Sequence, residues 1–210
     1  MSLKKILAIV IIAFAGLCSS AQAGIITTLD FQSGVGAVGA ALDNTVVGTP
    51  VTANITAIPG LTITAVGAAT DAMADLNATG SGFGINSSGT DDSDGVETAL
   101  GESISFSFNL PVTILDIEFE NIVNSATSTE VAEFGGFNLP GTGLGTGDTF
   151  TFTPPLSFAA GAPILFQEIS GDGVSLQFLT IEAQPVIPEP SSFALLGFGS
   201  FLMMARRRRR

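Results

Sequence analysis

Apolar residues in the middle of this chain recur mostly at every second position. Ser103-Ile104-Ser105-Phe106-Ser107-Phe108 alternates without a break, as do Asp116-Ile117-Glu118-Phe119-Glu120 and Thr149-Phe150-Thr151-Phe152-Thr153. A period of two turns one face of a strand to a core and the other to water. Further strands are expected at Ile25 to Phe31, Leu61 to Val66, Ala132 to Phe137, Ile164 to Ile169 and Val174 to Ile181. Clusters of Gly, Pro, Asn and Asp separate them, as at Ile58-Pro59-Gly60 and Leu139-Pro140-Gly141. Short strands with such turns predict an all-β fold: a single antiparallel β-sandwich, jelly-roll-like, over residues 24–183. Helix is expected only as a short segment at Thr70 to Leu76. No fixed internal period supports a repeat solenoid.

The two ends break this pattern. Ile6 to Leu17 is a continuous apolar run behind Lys4 and Lys5, and it is followed by Ala21-Gln22-Ala23. A positive start, a short apolar run and a small-x-small site make a signal peptide, residues 1–23, cut after Ala23. The run is too short for a membrane span, which needs about 20 residues. A lipoprotein signal is excluded by Leu17 and Ala15 ahead of Cys18. Cleavage removes Cys18, the only cysteine, so the mature chain forms no disulfide and offers no thiolate to a metal.

At the other end, a Pro-rich linker over 184–190 leads into Ser191 to Ala205, which is uncharged and nearly all apolar, and then into Arg206, Arg207, Arg208, Arg209 and Arg210. Proline breaks any helix arriving from upstream. As a helix, residues 191–205 reach about 22 Å, against roughly 30 Å for a hydrocarbon core. Snorkelling arginines lengthen the effective span, and the positive-inside bias keeps them in the cytoplasm with the rest of the chain outside. Two readings follow from the residues: a permanent tail anchor, or a processed signal. The order Pro188-Glu189-Pro190, short apolar helix with Gly197 and Gly199, terminal Arg cluster resembles the PEP-CTERM sorting signal. That resemblance, confined to about the last two dozen residues, implies a bacterial envelope protein whose partner is a sorting enzyme of exosortase type. Such an enzyme cuts near Pro188-Glu189-Pro190. The chain would be held at the membrane by the C-terminal helix until then, and released to the surface or an extracellular polymer matrix.

Charge sharpens this picture. All seven Lys and Arg lie in the two end segments, and all 19 acidic residues lie between Lys5 and Arg206. The chain has no His, Trp or Tyr. Without His, Ser-His-Asp and Cys-His catalysis are excluded; without Lys in the body, so is a Schiff base. Nucleic acid would meet only repulsion, and no internal salt bridge between side chains of the mature body is possible. Two carboxylates suffice for a glycosidase, yet sugar clefts usually present Trp or Tyr faces. Gly34-Val35-Gly36-Ala37-Val38-Gly39 spells GxGxxG, but alone and in a β pattern it reads as a flexible glycine turn rather than a dinucleotide site.

The most oxygen-rich stretch is Gly82 to Glu102, carrying Asp91, Asp92, Asp94, Glu97 and Glu102. Ca²⁺ takes six to eight oxygens and relieves repulsion among carboxylates. An EF-hand is excluded, because the place of its closing Glu is Gly101 and no helices flank the loop. Calcium and a solvated acidic turn both fit these residues. The functional expectation is a non-enzymatic exported protein of the cell envelope or extracellular matrix, associated with extracellular polysaccharide. A calcium-assisted carbohydrate-binding module is the alternative, and a carboxylate-based hydrolase the third reading.

Overall fold

A computed structural model describes residues 23–34, 37–87, 95–121, 131–140, 147–171 and 173–185, and Gly24–Pro185 forms one compact unit. Its described strands are β1 (Ile25–Asp30), β2 (Thr45–Val46), β3 (Val51–Asn54), β4 (Thr62–Ala68), β5 (Asp75–Ala78), β6 (Phe83–Asn86) and β7 (Ser103–Phe108). They continue with β8 (Val112–Asn121), β9 (Val131–Phe134), β10 (Phe137–Pro140), β11 (Gly147–Phe158), β12 (Ile164–Ser170) and β13 (Val174–Ala183). A short helix, α1, spans Val38–Leu42.

These strands form two antiparallel sheets. The first runs β11-β8-β13-β6-β5-β2, with β1 also paired to β13; the second runs β10-β9-β12-β7-β4-β3. Alternation decides which side chains go inward. In β7, Ile104, Phe106 and Phe108 are buried while the serines between them are half-buried. In β8, Ile117 and Phe119 are buried while Asp116, Glu118 and Glu120 face the other way. Inward residues of both sheets belong to one apolar cluster. Aromatic rings cross between the sheets in two places. Phe106 of β7 lies 6.3 Å from Phe83 of β6 and 5.4 Å from Phe31, just past β1. Phe152 of β11 lies 6.3 Å from Phe134 of β9.

Sheet ends that leave backbone groups unpaired invite pairing with other chains. Here β2 is only two residues long. β11 carries Pro154 and Pro155 inside a register shift between Thr151 and Leu156, where their missing N–H groups cost no ladder bond. β10 ends on Pro140.

The predicted strands are all present, with differences that have local causes. Ala132 to Phe137 is two strands rather than one, because Gly135 and Gly136 adopt φ of 58° and 89° and turn the chain. Leu139 and Pro140, expected in a turn, are the end of β10. Thr70 to Leu76 is not helical. The Asp71 carboxylate accepts the Met73 N–H at 2.8 Å, forming a side-chain turn, and β5 begins at Asp75. Of the GxGxxG stretch, Val35 and Gly36 lie outside the described residues; the Ala37 N–H returns to the Gly34 carbonyl at 3.1 Å, as a turn does, and Val38 and Gly39 then open α1. Gly39 is required there by close approach, since a Cβ would fall 2.0 Å from the Phe31 carbonyl oxygen. The helix joins no parallel strands, so the dinucleotide geometry is absent among the described residues.

Candidate functional site

Three features of the body bear on function: the corner where both ends leave, the outward face of the seven-stranded sheet, and the turn that closes the acidic stretch.

The corner is set by β1 and β13. Their antiparallel register runs from Ile25↔Ala183 to Asp30↔Phe178, and the Thr28 and Thr180 hydroxyls meet at 3.1 Å. The start and the end of the body therefore lie side by side on neighbouring strands. Ala23, one of the two expected cleavage residues, is exposed two residues before β1. Ala21 lies outside the described residues, as do Pro188, Glu189, Pro190 and Arg206 to Arg210. A cavity of about 440 Å³ opens beside this corner, lined by Pro111, Thr113, Ser157, Glu182 and Gln184 among others.

The outward face of the seven-stranded sheet is acidic. Asp116, Glu118 and Glu120 stand at alternate positions of β8. Thr151 and Thr149 are register partners of the first two on β11, and Thr180 and Phe178 on β13. Asp30 of β1 and Glu182 of β13 share the same face by register. Among the described residues neutral groups answer these charges: Thr149 donates to Glu118 at 3.4 Å, and Gln177 donates to Glu120 at 2.8 Å while also reaching the Ser81 carbonyl at 2.9 Å.

The turn after the acidic stretch is built on two buried carboxylates. Asp91, Asp92 and Asp94 lie outside the described residues, but Glu97 and Glu102 bracket a single 3-10 turn at Thr98–Leu100. Gly101 closes that turn in the left-handed region at φ 68°, returning its N–H to the Thr98 carbonyl, a conformation glycine adopts without steric cost. Glu102 is 3% exposed; it accepts from the Glu97 N–H at 2.9 Å and from the Ser87 hydroxyl. Glu168 of β12 is equally buried and accepts from the Thr98 N–H at 2.7 Å and the Gly173 N–H at 2.8 Å. Val96 pairs with Val174, and the Gly95 carbonyl accepts from Ile85. Both flanks of the acidic stretch are thus fastened to the body, at Ser87 and at Gly95–Val96.

Glu102 and Glu168 are consequently framework groups in the described structure, each accepting backbone N–H groups of the turn and its flanks. Among the described residues no group of three or more acidic, His or Cys side chains is placed to hold a metal. Glu168 was not singled out from sequence, yet a signal existed. In β12 the buried residues are Ile164, Phe166 and Glu168, so a carboxylate occupies an inward position of an alternating strand. Glu102 stands likewise in phase with Ile104 and Phe106.

Removing the Glu168 carboxylate should loosen this turn. Glu168→Ala is expected to cost about 2–4 kcal/mol, because it removes two charge-assisted bonds and leaves two N–H groups without their acceptor. The melting temperature should fall by roughly 5–15 °C, and Glu168→Gln should fall part of the way. A Glu168→Ala protein that melts with the parent in a thermal scan would show that this carboxylate does not hold the turn.

Comparison with known families gives one match: the PEP-CTERM protein-sorting motif, at residues 186–210. The chain thus carries, at its C-terminal end, the signal of exported proteins sorted by an exosortase. No curated protein and no solved structure gives a significant match to the chain.

Proposed function

We propose that this chain is a non-enzymatic bacterial envelope or extracellular-matrix protein. Its two sheets pack as a β-sandwich, and it is delivered by an exosortase cut near Pro188-Glu189-Pro190. The sorting motif at 186–210 is the observation that carries this reading. Two structural features support it. Export signal and sorting motif attach to adjacent strands, so processing at either end leaves the pairing of β1 with β13 intact. The acidic outward face has no side-chain cation to neutralise it, since residues 24–185 contain no Lys, Arg or His. Cations from the surroundings balance it and bridge it to anionic extracellular polysaccharide, while single-sign charge keeps copies of the body apart.

A lack of catalysis is supported by the chemistry present. His, Lys, Arg, Cys, Tyr and Trp are all missing from the body, and the buried glutamates Glu102 and Glu168 accept bonds from the protein's own donors. The acidic stretch Asp91, Asp92 and Asp94 remains the place to look for calcium, and the described part contributes its fastened flanks.

The mass of the protein recovered from its host tests the sorting reading. A chain starting at Gly24 and ending near Pro190 supports it. A chain still ending at Arg210 in the surface fraction overturns it.

A further inference from the structure

Both end segments hold every basic side chain, so processing at both ends strips the protein of them. One cation is nevertheless created by the first cut. Cleavage after Ala23 turns the Gly24 amide nitrogen into an α-ammonium. We infer that this new ammonium pairs with the Glu182 carboxylate, so that signal-peptide removal itself completes an ion pair across the β1–β13 corner. The inference rests on the export reading above and adds what export does to the body.

The geometry is specific. Ile26 is the register partner of Glu182, and Gly24 lies two residues earlier on β1's line, on the same side of the sheet as Glu182. The Glu182 side chain extends along that side until it lies over the Gly24 α-carbon. A Cβ built on Gly24 would stand 2.2 Å from Glu182 Oε1, 2.6 Å from its Cγ and 2.8 Å from its Cδ. A backbone nitrogen lies about 2.5 Å from its own Cβ position. The Gly24 nitrogen is therefore within about 4.7 Å of the carboxylate oxygen, and a small rotation of the glutamate side chain brings the two to ion-pair distance. Glycine is what makes room: any side chain at position 24 would displace Glu182 from over the Gly24 α-carbon. In the uncut precursor the same nitrogen is a neutral amide and carries no charge to form an ion pair.

The setting strengthens the pair beyond an ordinary surface one. Glu182 shares its face with Asp30, Asp116, Glu118 and Glu120, so the ammonium is drawn by the whole face as well as by its neighbour. No other cation of the mature body competes for Glu182.

The lack of lysine also makes the test clean. Acetylating the mature protein from its host modifies one amine, the α-amine of Gly24. At low salt, acetylation is expected to lower the melting temperature of the parent by about 2–4 °C, and the shift should shrink as salt screens the pair. In Glu182→Gln the acetylation shift should fall to a small residue, while Glu118→Gln keeps it. Equal shifts in the parent and in Glu182→Gln would overturn the pair even with the N-terminus confirmed at Gly24. A mass showing a start elsewhere overturns it differently, by removing the export reading's cleavage site, so the two failures are distinguishable.

Discussion

Phe106→Ala is expected to destabilise the body by about 4 kcal/mol, the cost of a large cavity where the two sheets meet. Phe106 is 0% exposed. Its ring stands edge-on to Phe31 at 5.4 Å and tilted against Phe83 at 6.3 Å, and these three rings come from both sheets. Backbone pairing of β7 with β4 and β12 holds the position rigid, so the void cannot collapse easily. For a body of this size the melting temperature should drop by roughly 8–16 °C. In urea the midpoint should move while the slope stays constant, since the same surface is exposed on unfolding. Ile26→Ala is the control: Ile26 is 61% exposed, and its loss should change stability by no more than about 0.5 kcal/mol. If the two variants unfold together, the ring cluster is not what joins the sheets.

The alternating segments were readable because a period of two is a direct image of a sheet with one dry face. Ser103 to Phe108 became β7 with the expected inward residues. What the pattern did not reveal has physical causes. β5 and β6 are four residues each, too short for alternation to stand out, and β6 is buried at Phe83, Gly84 and Ile85 in succession. α1 has five residues and no capping side chain, so it carries no helix-start signal. It exists because Gly39 lets it press against the Phe31 backbone. A short helix is expected at Thr70 to Leu76, but Asp71 captures the Met73 N–H and ends any helix before it begins.

The site was legible in part for a different reason. Charge composition is a property of the chain, so the acidic, lysine-free body could be read without a structure. Pairing is not. That Gly24 lies beneath Glu182, across more than 150 positions of sequence, follows only from the β1–β13 register. The roles of Glu102 and Glu168 are similarly non-local. Each stabilises a backbone turn, and the turn belongs to a different stretch of chain in the case of Glu168. Most of the described acidic residues singled out above thus fall into two sets. The outward set sets the field of the surface, and the inward set fastens loops.

Under the proposed sorting, altering the motif at 186–210 should have the largest effect of all, because an uncut chain keeps its whole C-terminal segment. Replacing Pro188, Glu189 and Pro190 with alanine in the full chain removes the motif within the matched segment. The expected product keeps its C-terminus through Arg210 and stays in the membrane fraction, with the body on the outer side. Replacing Arg206 to Arg210 with glutamine should fail in another way. Each arginine costs about 2.5–3.5 kcal/mol at the centre of a membrane-spanning helix, so under the proposed sorting five of them would form a barrier that keeps the tail in the cytoplasm. Glutamine lowers that barrier, and residues 191–205, about 22 Å long as a helix, are too short to hold by apolar burial alone. The glutamine variant should therefore be released with an uncut C-terminus. Immunoblotting of membrane and released fractions, with mass analysis of each band, separates the outcomes. If both variants are cut and released as the parent is, residues 186–210 do not direct sorting, and the acidic body must carry its own address.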